Sequence, residues 1–215
     1  FDEAKYKALL DGLEISEQKL SEVKQDNCDF RIDSQLFKKD YLERTKLLKP
    51  KSVRLSNLMM SGHYGILPKS EDYGIEGLSL IRGKDIRGMS LIERDLIKVP
   101  HSYFEKKYQV RENDILILVK GATIGNPDGV MLIQEEFGQI VFNGSVFRIR
   151  IKDINRYFVY AFMTTKFFTY QKILGVVNNG IEYNSIRTIR NYLIPTLDDD
   201  FQERVETLVK QAHAR

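Results

Sequence analysis

The hydrophobic period of the chain changes near residue 50, from helical spacing to short extended runs. Before the change, Tyr6, Leu9, Leu13, Leu20 and Val23 recur at three-and-four spacing, with Ser16 the one polar residue on the stripe. Tyr6, Leu13 and Leu20 share one heptad seam position, and Leu9, Ser16 and Val23 the other, which predicts an amphipathic helix. Gly12 weakens it, and so short a seam does not make a coiled coil. After the polar break Gln25-Asp26-Asn27, residues 34–48 predict a second helix, begun by Asp33 or Ser34 and ended by Lys49-Pro50.

From Lys51 the pattern is β-rich runs between turn residues: Val53–Leu55, Leu78–Ile81, Ile115–Val119, Val130–Ile133, Ile140–Phe142 and Val146–Ile151. Asp128-Gly129, before the Val130 run, is a hairpin signal. Val146–Lys152 alternates, which predicts a half-buried strand with Phe147, Ile149 and Ile151 inward and a cationic outer face of Arg148, Arg150 and Lys152. Asn155 is placed to cap one helix from Arg156 to about Leu174, with an inner stripe of Phe158, Ala161, Phe162, Thr165 and Phe168 and Gly175 at its end. A polar stretch from Asn178 to Ser185 leads to a strand at Asn191–Ile194 that Pro195 stops. Asp200 with Glu203 resembles a capping box for a last amphipathic helix carrying Phe201, Val205, Leu208, Val209 and Ala212. These elements predict an α+β fold: a twisted, mostly antiparallel β-rich domain with a packed helix, flanked by N- and C-terminal amphipathic helices.

The 215 residues include 42% hydrophobic and 29% charged side chains, which excludes a disordered or low-complexity chain. No apolar run approaches a membrane span of about 20 residues, and no signal peptide is expected from its opening residues. Cys28 is the single cysteine, so no intramolecular disulfide forms and a reducing, cytoplasmic setting is expected. With His63, His101 and His213 scattered, no zinc site is expected. The net charge of +3 hides a partition. Residues 1–50 carry 10 basic and 11 acidic side chains, 51–197 carry 20 and 14, and 198–215 carry 3 and 5. A basic middle suits a polyanion, and slightly acidic helical ends suit protein contacts.

Catalytic readings fare poorly. Gly121-Ala122-Thr123-Ile124-Gly125 looks like a phosphate loop but lacks the Gly-Lys-Ser/Thr that must follow, so its glycines serve a tight turn or a close backbone approach. Asn126-Pro127-Asp128-Gly129 lacks the aromatic that an adenine methyltransferase motif stacks on a flipped base. Asp95 with Glu105 and Lys107 has the acid–x–Lys spacing of a Mg²⁺-dependent nuclease, but no Pro-Asp precedes it. The chain is expected to be non-catalytic, with no cofactor or metal of its own. A nuclease domain on that triplet, or a protein-interaction module on the terminal helices, are the alternatives.

Several segments, in order, resemble a target recognition domain of the DNA-specificity subunits of type I restriction–modification systems. They are Val53–Leu58 followed by Ser61-Gly62, then Leu80-Ile81-Arg82-Gly83-Lys84-Asp85-Ile86, the most specific match. Glu112-Asn113-Asp114-Ile115-Leu116 follows with Asn where the family has Gly, then Lys120-Gly121-Ala122-Thr123-Ile124-Gly125. Leu193-Ile194-Pro195 and Phe201-Gln202 come last, with Leu197 in place of a second proline. The resemblance covers roughly residues 51–215. Residues 1–50, through Leu10–Ile15 and Phe30–Asp33, look like the connector to the recognition region in single-chain restriction–methylation proteins. It implies an N-terminal connector at 1–50, a recognition domain at 51–197 and the start of a spacer helix at 198–215. Its implied partners are double-stranded DNA, an adenine methyltransferase that holds S-adenosylmethionine, and a restriction endonuclease. Type I subunits carry two recognition domains and this chain has room for one, which leaves a half, a fragment or a homodimer open.

Duplex binding needs cations for phosphates and planar donors for base edges. The loop candidates are Ser61, His63 and Tyr64; Arg82, Lys84 and Arg87; Lys120 and Thr123; and Asn178, Asn179, Tyr183, Asn184 and Arg187. Arg takes guanine bidentately and Asn takes adenine.

Overall fold

Two units, Phe1–Pro50 and Lys51–Arg215, make up the chain in the computed structural model. It describes residues 2–13, 16–26, 32, 34–74, 76–87, 91–121, 123–178 and 180–214, with backbone alone at 25–26, 34–35 and 178. In the first unit the expected single helix is two, α1 (Glu3–Leu9) and α2 (Leu20–Asp26). Gly12 lies between them with a φ of +75°, a left-handed turn that ends a helix and that other residues adopt with strain. Asp2 caps α1, accepting from the Lys5 amide at 3.1 Å. The second expected helix opens as a 3-10 turn, Ser34–Phe37, and becomes α3 (Lys39–Leu48) with Lys38 rather than Ser34 as its N-cap. Asp33 and Cys28 lie outside the described residues.

The second unit opens with β1 (Ser52–Arg54), a one-turn α4 (Leu55–Leu58), β2 (Met59–Tyr64), β3 (Leu78–Ile81) and β4 (Ile97–Val99). It continues through β5 (Ile115–Leu118), β6 (Val130–Leu132), β7 (Ile140–Phe142) and β8 (Val146–Ile151). One sheet runs β2-β8-β5-β6, antiparallel throughout. A second runs β4-β3-β7, in which β3 and β7 form the one parallel pair among the described strands. The fold is thus the mostly antiparallel α+β arrangement that the sequence suggested.

The two sheets enclose a core. Leu116, Met131 and Val146 from the first meet Ile81, Ile140 and Phe142 from the second. The pleat turns Leu78 and Leu80 to the opposite face of β3, where they pack with Val99, Val141 and Ile66 beneath Tyr73, Tyr103 and Phe104. Helices α5 (Arg156–Met163) and α6 (Lys166–Leu174) follow β8, and α5 packs on β6. Strands β5, β6 and β7 are buried at every position, which is why they read as unbroken apolar runs rather than as alternations. Each such Ile, Leu or Phe contributes about 1.5–3 kcal/mol by leaving water.

The helix expected over Arg156–Leu174 is interrupted at Thr164-Thr165. Their hydroxyls donate to the Ala161 and Phe162 carbonyls at 2.8 and 2.7 Å, offering the backbone local partners in place of the next helical turn. Asn155 caps α5 as expected, accepting from the amides of Tyr157 at 2.9 Å and Phe158 at 3.3 Å. Beyond α6 come β9 (Val176–Asn178), β10 (Glu182–Asn184), α7 (Ile186–Arg190), β11 (Leu193–Pro195) and α8 (Asp199–His213). β9 and β10 form an antiparallel hairpin, and β11 pairs with β1. The α8 cap is Asp198, which accepts from the Phe201 amide at 2.8 Å, and not Asp200. Phe201 meets Phe158 edge-on at 6.2 Å, and the Gln202 amide group bridges the Asn155 amide (3.1 Å) and the Leu197 carbonyl (2.8 Å). No helix among the described residues is long and apolar enough to cross a membrane.

Candidate nucleic-acid interface

The loop after β3 and the β5–β6 connection share one cleft of about 680 Å³, which gathers Arg82, Lys84, Arg87, Lys120 and Thr123 with Asn126, Asp128 and Gly129. Five of the residues singled out from sequence therefore meet in one place. A 3-10 turn, Gly83–Asp85, shapes the first loop. Arg82 holds this turn: its Nε and Nη2 donate to Asp85 at 3.0 and 3.2 Å, and Asp85 also accepts from the Arg82 amide at 2.9 Å. The Arg82 fork is thus engaged with Asp85 and is not free to take a guanine edge as it stands. Gly83 lets the turn pack closely on Leu118, whose Cδ1 would lie 2.5 Å from a Cβ there and would have to shift. Ile86 anchors the turn in the core, leaving Lys84 and Arg87 exposed at the cleft.

Lys120 is fixed from the other side. Its backbone makes an antiparallel bridge with Tyr183, flanked by Gly121 N donating to Glu182 O and Asn184 N donating to Val119 O, both at 2.9 Å. Gly121 turns the chain with a φ of +108°. Lys84, Arg87 and Lys120 form no ion pair among the described residues, so the cleft presents an excess of cations over its one lining carboxylate, Asp128.

The remaining candidates divide. Asn184 is fully buried and its Nδ2 donates to the Lys172 carbonyl at 2.8 Å; Tyr64 donates its hydroxyl to the Asn184 carbonyl at 2.5 Å and packs edge-on against Phe147. Both tie the β9–β10 hairpin to the sheet rather than facing a ligand, and burial pushes the Tyr64 hydroxyl up to about 12. Ser61 and His63 lie half-buried on β2, opposite Arg150 and Arg148 of β8. Burial first, then Arg148, Lys107 and Arg150, lower the His63 pKa and favour its neutral form. Tyr183 lies half-buried on β10 and Arg187 exposed on α7, whose Ser185 cap accepts from the Thr188 amide at 3.1 Å. Asn179 and the Asn178 side chain lie outside what is described.

Of the cationic outer face expected on β8, Lys152 is exposed as expected, but Arg148 and Arg150 are not solvated. Arg148 is 1% exposed, beneath the second sheet, with Nη1 donating to the Gln109 carbonyl at 3.0 Å. Arg150 clasps buried Asp114 through Nε at 2.7 Å and Nη2 at 3.2 Å. A central strand covered on both faces turns an alternating pattern into a buried charge cluster, so these arginines serve the fold. Desolvation lowers the Arg148 pKa to about 10, against the pull of Asp114.

The triplet of the alternative nuclease reading does not assemble into a metal cradle: Glu105 pairs with Lys107 at 2.7 Å and Asp95 lies by Arg94 at 3.7 Å. Among the described residues no group of three or more His, Cys, Asp or Glu could hold a metal ion. Sequence reading missed Asn126, Asn143 and Ser145 in the cleft, and Lys172 behind it. Lys172 had a signal: it falls four residues after Phe168, on the inner stripe of its helix, where a lysine is out of place.

Comparison with solved structures gives the class of fold. One match is a type I restriction–modification system studied for its complex assembly and conformational transition: TM-score 0.55, 20% identity, covering 98% of this chain and 50% of that one. Another is the HsdS subunit from Thermoanaerobacter tengcongensis, with TM-score 0.54 and 19% identity over 98% of this chain and 49% of that one. A third is the type IIG restriction endonuclease BpuSI, with TM-score 0.55 and 12% identity over 80% of this chain and 28% of that one. The fold is therefore that of type I specificity subunits, and the chain spans about half the length of the first two. No family model and no curated protein matches the sequence.

Proposed function

We propose that the Lys51–Arg215 unit reads the sequence of duplex DNA for a restriction–modification system and is itself non-catalytic. It presents the site to an adenine methyltransferase, a separate subunit or a domain of the same polypeptide, and through it to a restriction endonuclease. S-adenosylmethionine belongs to that methyltransferase. The observation that carries the reading is the convergence of Lys84, Arg87, Lys120 and Thr123 from two loops into one cleft, on a fold shared with specificity subunits. Point cations on fixed loops hold phosphates and set register. Base readout falls to the β9–β10 hairpin, whose Tyr183 is bridged to Lys120, and to exposed Arg187 on α7. The first unit and the outer face of α8, where Leu208 is 64% exposed, are assigned to protein contacts.

Duplex binding measured against salt tests this. Lys120→Ala is expected to weaken every sequence alike by several-fold, and to lower the slope of log K against log salt by about 1. Absence of duplex binding at low salt, with the methyltransferase present, overturns the reading.

A further inference from the structure

Lys172 carries an amino group that the fold leaves unanswered. It stands on α6 at 1% exposure, and its Nζ has no hydrogen-bond partner among the described residues. A buried, unpaired ammonium is costly, so its position matters. A Cβ on Gly129 would lie 3.4 Å from that Nζ, 3.1 Å from Leu118 Cβ and 3.2 Å from the Asn126 carbonyl. The nitrogen therefore sits directly behind the Asn126–Gly129 turn, whose other side lines the cleft. Gly129 thus adjoins both the cleft and the buried Nζ.

Resting on the DNA reading above, we propose that the cleft seats a backbone phosphodiester of the duplex rather than a base edge, and that Lys172 takes a proton from solvent as that phosphate arrives over Gly129. The donors support a phosphate. Lys84 and Lys120 are point charges and the Arg82 fork is held by Asp85, which leaves exposed Arg87 as the one cleft guanidinium outside an ion pair among the described residues. A guanidinium takes a phosphate as readily as a base edge. Asp128 on the same turn is exposed and screened by water, whereas Nζ lies in a dry medium where an approaching charge acts far more strongly.

In the free protein, burial alone lowers the Lys172 pKa from 10.5 to about 7. The titratable groups on the elements around it are Lys166 and Tyr170 of α6, Arg156, Tyr157 and Tyr160 of α5, Asp128 of the turn, Glu182 and Tyr183 of β10, Tyr64 of β2, bonded to Asn184, and Tyr192, packed on Phe168. None of them is a cause of the lowering. Above about pH 7 the side chain is a neutral amine, and a phosphate placed over Gly129 raises its pKa again.

Calorimetric titration of the full chain with a mixed-sequence duplex at low salt reads the proton directly, by comparing buffers of different ionisation enthalpy at about pH 8. Uptake approaching about one proton per site is expected, with affinity falling by up to about tenfold per pH unit above neutrality at constant salt. Lys172→Met is expected to abolish both and keep the salt dependence. The wild-type buffer comparison needs no variant to fold. Duplex binding without proton uptake, or uptake that Lys172→Met leaves intact, overturns the inference while the DNA reading stands. No binding of duplex by the wild-type chain, even with the methyltransferase added, overturns the DNA reading and this inference with it.

Discussion

Asn113 has a φ of +70°, in the left-handed region where Asn is tolerated far better than most side chains. It fills the place where the resembling family has Gly, and the next residue, Asp114, is the acceptor around which the buried charges are built. Asp114 takes the Arg111 amide at 2.9 Å and two donors from Arg150, with Arg148 at 3.9 Å. Removing one partner of such a cluster strands the other charges in a dry interior. Asp114→Ala is expected to cost about 3–5 kcal/mol, read as a lower urea midpoint at unchanged slope. Lys172 behaves in the opposite sense. Its folded pKa of about 7 lies below the ordinary 10.5, so between these values the unfolded chain binds more protons and stability rises with pH. Below about pH 7 both states are charged and the full burial penalty applies. Lys172→Met is therefore expected to stabilise the fold by roughly 2–5 kcal/mol near pH 6, a gain that shrinks as pH approaches 10. Urea titrations of both proteins across that range check it; an equal gain at every pH would show that the lysine keeps its ordinary pKa inside the fold.

At the scale of elements, local chemistry was readable where one segment decides its own structure. Strand β3, strand β8 and the Asn155 cap stand where their residues placed them. Burial was less readable, because it depends on what packs over an element. The alternation of β8 gave its strand correctly and its environment wrongly, since Arg148 and Arg150 find Asp114 and the Gln109 carbonyl, more than thirty residues away in sequence. Strand β2 stands where the resemblance implied a loop at Ser61-Gly62; a Cβ on Gly62 would meet Phe147 at 2.7 Å, so the close packing of β2 on β8 requires the glycine. The break between α5 and α6 comes from two threonines whose hydroxyls bond backward, a local choice that apolar periodicity does not register. The cleft follows the same rule. Its cations were visible as loop residues and the Arg82–Asp85 bond spans only three residues, but the amine beside Gly129 exists only once the β5–β6 connection and α6 are brought together.

At the scale of the whole molecule, the second unit ties its own ends. β1 meets β11 with Ser52 opposite Pro195, and the Leu55 amide donates to the Tyr192 carbonyl at 2.7 Å. After that closure α8 returns onto α5, where Phe201 covers Phe158 and Gln202 satisfies the Asn155 amide. The core clusters on the two faces of β3 lie wholly within residues 51–215. That fragment is therefore expected to unfold in one cooperative urea transition and to keep the salt-dependent duplex binding proposed for the cleft. A fragment stopped at residue 197 keeps the β1–β11 pair but exposes Phe158 and leaves the Asn155 amide without its acceptor. Losing that packing and hydrogen bonding is expected to cost about 2–4 kcal/mol and to lower the midpoint accordingly. If the two fragments unfold at the same midpoint, α8 contributes nothing to the domain and serves only contacts outside it. If residues 51–215 fail to fold, the first unit is part of the domain rather than an appendage to it.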